Sequence, residues 1–148
     1  MGARFRETRS ISGKCFVDTN ILFYVHDRQA GSKHERAKRL LIELLGSDAG
    51  VLSTQVLQEF CVNLRRKGNL AADETRRLIQ DFLGWEIVVN TPESVLGALE
   101  IESQHDISFW DALIIYAAQA VGAEILYSED LSDGQMFGAV RVVNPLLA

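Results

Sequence analysis

Apolar positions in this chain fall into two kinds of run: short blocks of about four residues, and longer stretches in which they recur every three or four residues. The short blocks are Lys14 to Val17, Val51-Leu52, Glu86 to Val89, Glu124 to Tyr127 and Val140 to Val143. They are rich in β-branched or aromatic residues and bounded by turn formers, which predicts five strands. Among the longer stretches, Ile21, Leu22 and Val25 predict a helix that stops near Asp27 to Ser32. Ala37, Leu40, Leu41, Leu44 and Leu45 make one stripe of a helix from Lys33 to Leu45, with Ser32 as its N-cap, Glu35 completing a capping box and Gly46 as its stop. Val56, Leu57, Phe60 and Leu64 predict a helix from Gln55 to about Arg66, capped by Ser53 or Thr54 and closed by Lys67-Gly68-Asn69. Asp73 is the expected cap of a helix ending near Leu83. Thr91-Pro92 opens another that runs to Gln104, and Ser108 opens a last one through Ala120, ended by Gly122.

Short strands alternating with helices mean βαβ units, hence a mostly parallel sheet with helices on both faces. The expected fold is α/β, a three-layer α/β/α arrangement around about five strands, in a single domain over residues 14–148. A length of 148 residues with 47% apolar positions suffices for one such core. Ahead of it, residues 1–13 contain Arg4, Arg6 and Arg9 without an apolar block, and read as a basic, mobile arm rather than a secretory signal. Repeats and low-complexity linkers are absent.

Charge adds an asymmetry that the formal total of -5 conceals. The first 77 residues carry a basic excess, whereas Arg141 is the sole basic residue after Arg77 and faces eleven acids. One basic surface and one acidic site would suit a partner bearing phosphates near a bound metal. The most apolar stretch, Ile107 to Val121, is interrupted by Asp111 and Gln119, so no membrane span is expected. Cys15 and Cys61 lack the close spacing of a zinc site and read as free thiols in a reducing cytoplasm.

Four acids follow strand or helix-start signals. Asp18 ends the first apolar block, at the strand end where open α/β sheets bind ligands, and reads equally as an N-cap. Glu59 lies with Gln55 and Asn63 on a polar stripe beside the apolar face of its helix, where a solvated edge residue is the plain alternative. Asp111 falls three residues after Ser108, as an imperfect capping box would place it. The flanking Phe109, Trp110, Ala112 and Leu113 mark a deeply packed helix whose dipole keeps a first-turn carboxylate ionised. Tyr127-Ser128-Glu129-Asp130 brings acids to the end of the fourth block, and Asp133 follows in a turn. Glu129 is expected to be solvated. Strand ends of one parallel sheet share an edge, so the acids are expected to converge there and to require a cation.

Phe16-Val17-Asp18-Thr19-Asn20, Glu59 in Val56-Leu57-Gln58-Glu59-Phe60, Ser108-Phe109-Trp110-Asp111-Ala112 and Ser128-Glu129-Asp130 together resemble the four motifs of the PIN-domain family. Their order and spacing over residues 14 to 145 are similar to VapC-type toxins of bacterial toxin–antitoxin modules. The resemblance implies a metal-dependent ribonuclease, often dimeric and often inhibited by a small antitoxin protein. On that basis Asp18, Asp111 and Asp130 are expected to bind Mg²⁺ or Mn²⁺ directly or through water. Glu59 is expected to serve a second ion or orient the attacking water, and Thr19, Asn20 and Ser128 to hold the carboxylates in place. Asp133 competes with Asp130 for the fourth place. Lys33, Arg36, Lys38, Arg39, Arg65, Arg66 and Lys67 are the expected phosphate-contacting surface. Expected partners are an RNA substrate, a cognate antitoxin and a second copy of the chain. A catalytically silent RNA-binding or interaction module of the same fold is the alternative. A receiver-like phosphoryl-transfer domain is the other rival, and it lacks support because the late strands offer no lysine, Arg141 being the sole basic residue there.

Overall fold

The computed structural model describes residues 13–147, so the expected basic arm lies almost wholly outside the described residues. The chain runs β1 (Cys15–Val17), α1 (Thr19–Val25), a single 3₁₀ turn (Arg28–Ala30), α2 (Ser32–Ser47), β2 (Gly50–Ser53), α3 (Thr54–Arg66), α4 (Ala72–Asp81) and β3 (Glu86–Val88). It continues through α5 (Pro92–Gln104), α6 (Phe109–Ala120), β4 (Ile125–Tyr127), β5 (Met136–Phe137) and β6 (Val140–Val143). All five predicted strands are present. Met136–Phe137 adds a sixth that two residues of pattern could not announce; Gly138, at φ 61°, turns it back so that Phe137 pairs with Val140.

The sheet order is β3-β2-β1-β4-β6-β5, parallel except for the β5–β6 hairpin. From β1 the chain steps outward through β2 to β3, then returns across the sheet to β4 on the other side of β1. Right-handed crossovers put the connecting helices of two such opposed steps on opposite faces. Accordingly α1 packs on α2 and α3 and α3 on α4, while α5 and α6 pack on each other as a separate layer. Gly97 permits that close approach, since a Cβ there would lie 2.1 Å from the Tyr116 ring. Strand order therefore reverses between β1 and β4, and the carboxyl ends of that pair form the crevice in which such sheets bind ligands.

The core explains the strand pattern. Phe16, Val17, Val51, Leu52, Leu126 and Val142 are covered on both faces, which is why these strands read as continuous apolar runs rather than alternating ones. Ile21, Leu22, Phe60 and Leu64 close one side, Ile114, Ile115 and Ala118 the other. Among the described residues no helix is long and apolar enough to cross a membrane.

Two helix starts differ from expectation. Ser32 lies inside α2, whose cap position is Gly31 at φ 66° with no side-chain cap bond, and the helix runs past Gly46 to end on Asp48 in the left-handed conformation. Gly31 does by backbone freedom what a serine cap would have done by hydrogen bonding. Asp73 lies in the first turn of α4 rather than at its cap. The cap residue is Ala71, whose N–H donates to Glu74 Oε1 at 3.3 Å. Thr91 and Ser108 cap α5 and α6 as expected.

Candidate metal centre

Register builds the site. Val17 pairs with Tyr127, so the residues that follow, Asp18 and Ser128, leave adjacent parallel strands side by side at the switch point. Asp18 is 6% exposed and does two jobs. It is the N-cap of α1, with Oδ1 accepting from the Thr19 N–H at 2.7 Å. Its other oxygen, Oδ2, accepts from Ser128 Oγ at 3.0 Å. The capping and site readings of this residue are thus compatible. Ser128 is fully buried, and its Oγ in turn accepts from the Asp130 N–H at 3.2 Å, which fixes the backbone that carries the next acid.

Asp111 arrives from the opposite helical layer. Ser108 Oγ caps α6 by accepting from the Asp111 N–H at 3.1 Å, so the cap uses the backbone of Asp111 and leaves its carboxylate to face the crevice. Carboxylate oxygens of Asp18, Asp111 and Asp130 all lie within 4.8 Å of one another. Glu59 joins them from α3, where the buried Thr19 hydroxyl donates to Oε1 at 2.6 Å and Gln55 Nε2 donates to Oε2 at 3.3 Å. Asn20 Nδ2 donates to Asp130 Oδ2 at 3.2 Å. The four acids, Thr19, Asn20, Gln55, Asn63, Trp110 and Ile114 line a cavity of about 270 Å³.

The electrostatics are those of an anionic pocket that lacks countercharge. Burial, opposed by the Thr19 N–H and the Ser128 hydroxyl and reinforced by the charges of Asp130 and Asp111, pushes the Asp18 carboxyl up to about 7. Asp111 is raised by burial and then by Asp130 and Glu59, against the Ser108 hydroxyl. Burial, Glu129 and Glu59 raise Asp130 as well, and the cations of Lys33 and Lys67 only partly offset them. The donor set fits a hard cation. Ligand oxygens around Mg²⁺ lie at about 2.1 Å, so opposite ones are separated by roughly 4.2 Å, a span these three carboxylates can provide. A bound divalent ion would also offset the burial, and the lesser mutual repulsion, that raise all three.

Other expected residues are placed differently. Asp133 stands away from the cavity, with Oδ1 accepting from the Asn144 N–H at 2.8 Å in the loop before β5, so local turn bonding accounts for it and Asp130 is the fourth acid of the cluster. Glu129 is not a free solvated acid, because Lys33 Nζ and the Tyr24 hydroxyl both donate to it. Burial alone would raise its carboxyl, but these two partners outweigh that and hold it below the usual range. Lys33 is therefore paired, Arg36 donates to the Leu147 carbonyl, and Lys67 lies over the Phe23 ring at 5.8 Å. Lys38, Arg39, Arg65 and Arg66 are exposed on α2 and at the end of α3. Gln55 and Trp110 were not expected in the site. The polar stripe Gln55, Glu59, Asn63 carried the signal for the first, whereas Trp110, expected in a packed helix, is 61% exposed.

Comparison with known proteins agrees with this fold. Mycobacterium tuberculosis VapC20, described as a sarcin-ricin loop cleaving toxin, superposes with a TM-score of 0.64 at 24% identity, covering 79% of this chain and 90% of its own. A toxin–antitoxin complex from Klebsiella pneumoniae gives 0.66 at 18% identity, covering 89% and 98%. DNA-bound VapBC from Salmonella typhimurium gives 0.62 at 15%, covering 88% and 97%. At these identities the likeness establishes the fold. No match is found among curated protein sequences. The family profile described as PIN domain matches residues 15–132, from the first residue of β1 to just beyond Asp130, and the chain belongs to the PIN-domain family.

Proposed function

We propose that this protein is a metal-dependent endoribonuclease and the toxin of a type II toxin–antitoxin module. The observation that carries the reading is the convergence of Asp18, Asp111 and Asp130 within 4.8 Å at the switch point of the sheet, from three separate parts of the chain. The Klebsiella pneumoniae neighbour, a toxin–antitoxin complex, supports the biological setting.

In this reading Asp18, Asp111 and Asp130 hold Mg²⁺ or Mn²⁺, which when bound supplies electrophilic stabilisation of charge on the phosphoryl oxygens. The remaining work falls to the chain. Ser128 and the Thr19 N–H fix both oxygens of Asp18, so its carboxylate is set to receive the cation without reorganising. Glu59, oriented by Thr19 and Gln55, holds the water that attacks phosphorus and accepts its proton, while the bond from phosphorus to the leaving ribose oxygen breaks and that oxygen takes a proton from solvent. Asn20 steadies Asp130. Exposed basic residues of α2 and α3, Lys38, Arg39, Arg65 and Arg66 among them, take neighbouring phosphates, joined by Arg36 and Lys67 of the same two segments. A cognate antitoxin and a second copy of the chain are the proposed protein partners.

The test is incubation of purified, partner-free protein with total RNA, with and without Mg²⁺, followed by mapping of the new ends. Defined cuts that need the metal and vanish in Asp18→Asn are the expected result. RNA left intact under every divalent metal tried would overturn the reading.

A further inference from the structure

Among the described residues Trp110 is the one exposed Phe, Tyr or Trp; every other is buried or half-buried and packs the core. Single exposed apolar residues are ordinary on protein surfaces. This one lines the acidic cavity and immediately precedes Asp111 in the first turn of α6. Its position is also fixed. Gln55, 4% exposed, donates through Nε2 to the Trp110 carbonyl at 3.2 Å and to Glu59 Oε2 at 3.3 Å. Both partners are acceptors, so the amide can face them only with its nitrogen, and Oε1 is left buried without a partner. Gln55 thus accepts an unsatisfied oxygen in order to tie the backbone of Trp110 to the carboxylate of Glu59. Phe109 supports the indole, with ring centroids 5.4 Å apart and planes at 77°. The paired cation Lys33 stands with Glu129, beside Asp130, so the rim carries charge there and an aromatic surface next to Asp111.

We propose that Trp110 stacks against an unpaired base of the nucleotide at the cleaved phosphate and so seats the strand over the clustered acids. The inference rests on the nuclease reading above and deepens it. Bases inside an A-form duplex keep their faces covered by their neighbours, whereas unpaired bases offer them, and aromatic side chains take such bases with little regard to sequence. Close to clustered carboxylates, a neutral stacking contact also avoids the repulsion that a further phosphate would meet.

The experiment uses the full chain with Trp85→Phe, which leaves Trp110 as the only indole. Trp85 itself packs against Gly50, at the opposite edge of the sheet from the carboxyl ends, and is half-buried. With Ca²⁺ replacing Mg²⁺ to hold back cleavage, indole fluorescence is titrated with a single-stranded oligoribonucleotide, its duplex, and the same strand with abasic sites. Quenching by the single strand alone is expected. Trp110→Ala should weaken binding of that strand about 5- to 150-fold and leave duplex binding unchanged, while Trp110→Phe keeps most of the affinity. Equal quenching by duplex and single strand, or unchanged single-strand affinity in Trp110→Ala, would overturn the proposal. A shift to a smaller sedimenting species in Trp110→Ala with RNA affinity intact would likewise overturn it, by making the indole a protein contact. Loss of the nuclease reading looks different: strand-dependent quenching would persist with no cleavage under any metal.

Discussion

Ser128 Oγ donates to Asp18 Oδ2 at 3.0 Å, joining the ends of two neighbouring strands across 110 residues of sequence. The same oxygen receives the Asp130 N–H, so one buried hydroxyl orients two of the three clustered acids. Ser128→Ala should cost about 1 kcal/mol in melting experiments from the lost hydrogen bonds. Its effect on metal affinity should be larger, about 10- to 100-fold, because the carboxylates lose the partners that hold them. Calorimetric titration with Mn²⁺ checks this. Wild-type affinity in the variant would mean that the hydroxyl only fills space.

The raised carboxyls of Asp18, Asp111 and Asp130 make a pH prediction for metal-free protein. A carboxyl whose folded value lies above its unfolded one binds more protons in the native state, so stability falls as pH rises between the two. For Asp18 that window runs from about 4, the ordinary value, up to about 7. Metal-free protein should therefore lose on the order of 1–3 kcal/mol between pH 5 and pH 8, with the carboxylates titrating as a group. Saturating Mg²⁺ should abolish most of that slope. Asp18→Asn should flatten it without metal, keep or raise the metal-free melting point, and eliminate cleavage. A melting point that climbs with pH in metal-free wild type would contradict the burial and crowding of these carboxylates.

Much of this arrangement is legible in the sequence, and each miss has its own cause. Asp18, Asp111 and Asp130 each stand where a local signal changes, at a strand end or a helix start, and a parallel sheet carries such positions to one edge. Glu59 was readable from the polar stripe beside its apolar face. Glu129 was misjudged because what makes it an ion-paired residue, Lys33 and Tyr24, lies 96 and 105 residues away. Trp110 was misjudged for the opposite reason: its neighbours along α6 are buried, but the first turn of that helix emerges at the crevice. The β5–β6 hairpin depends on a two-residue strand and one glycine, too little pattern to read.

The pairing of Lys33 with Glu129 gives a test of the proposed RNA contact. The pair is partly exposed and contributes little to stability. Glu129→Gln should accordingly change the melting point by less than about 1 kcal/mol. Releasing the cation and removing a negative charge beside the crevice should strengthen RNA binding several-fold at low salt and steepen its salt dependence by about one phosphate contact. Binding isotherms at several salt concentrations measure both. A weaker affinity at every salt concentration would show that the pair is needed as it stands, with Glu129 positioning Lys33 for phosphate.

Asp111 allows the sharpest separation of cap from ligand. In α6 the cap bond runs from the Asp111 N–H to Ser108 Oγ, and Asp111→Asn leaves both atoms in place. The substitution removes a first-turn charge, a loss of about 0.5–1 kcal/mol from the charge–dipole interaction. It also relieves the repulsion from Asp130 and Glu59 that helps raise the Asp111 carboxyl, so the two effects oppose each other. The metal-free melting point should therefore stay within a few degrees of wild type. A metal site would fare otherwise, since Mg²⁺ favours anionic oxygen and this cavity has few carboxylates to spare. Binding to the folded state raises its stability by mass action, so wild-type protein should melt higher in saturating Mg²⁺ and the variant should not. If the variant instead melts lower without metal and keeps its Mg²⁺ shift, Asp111 serves the helix and the cation is held by the acids that remain.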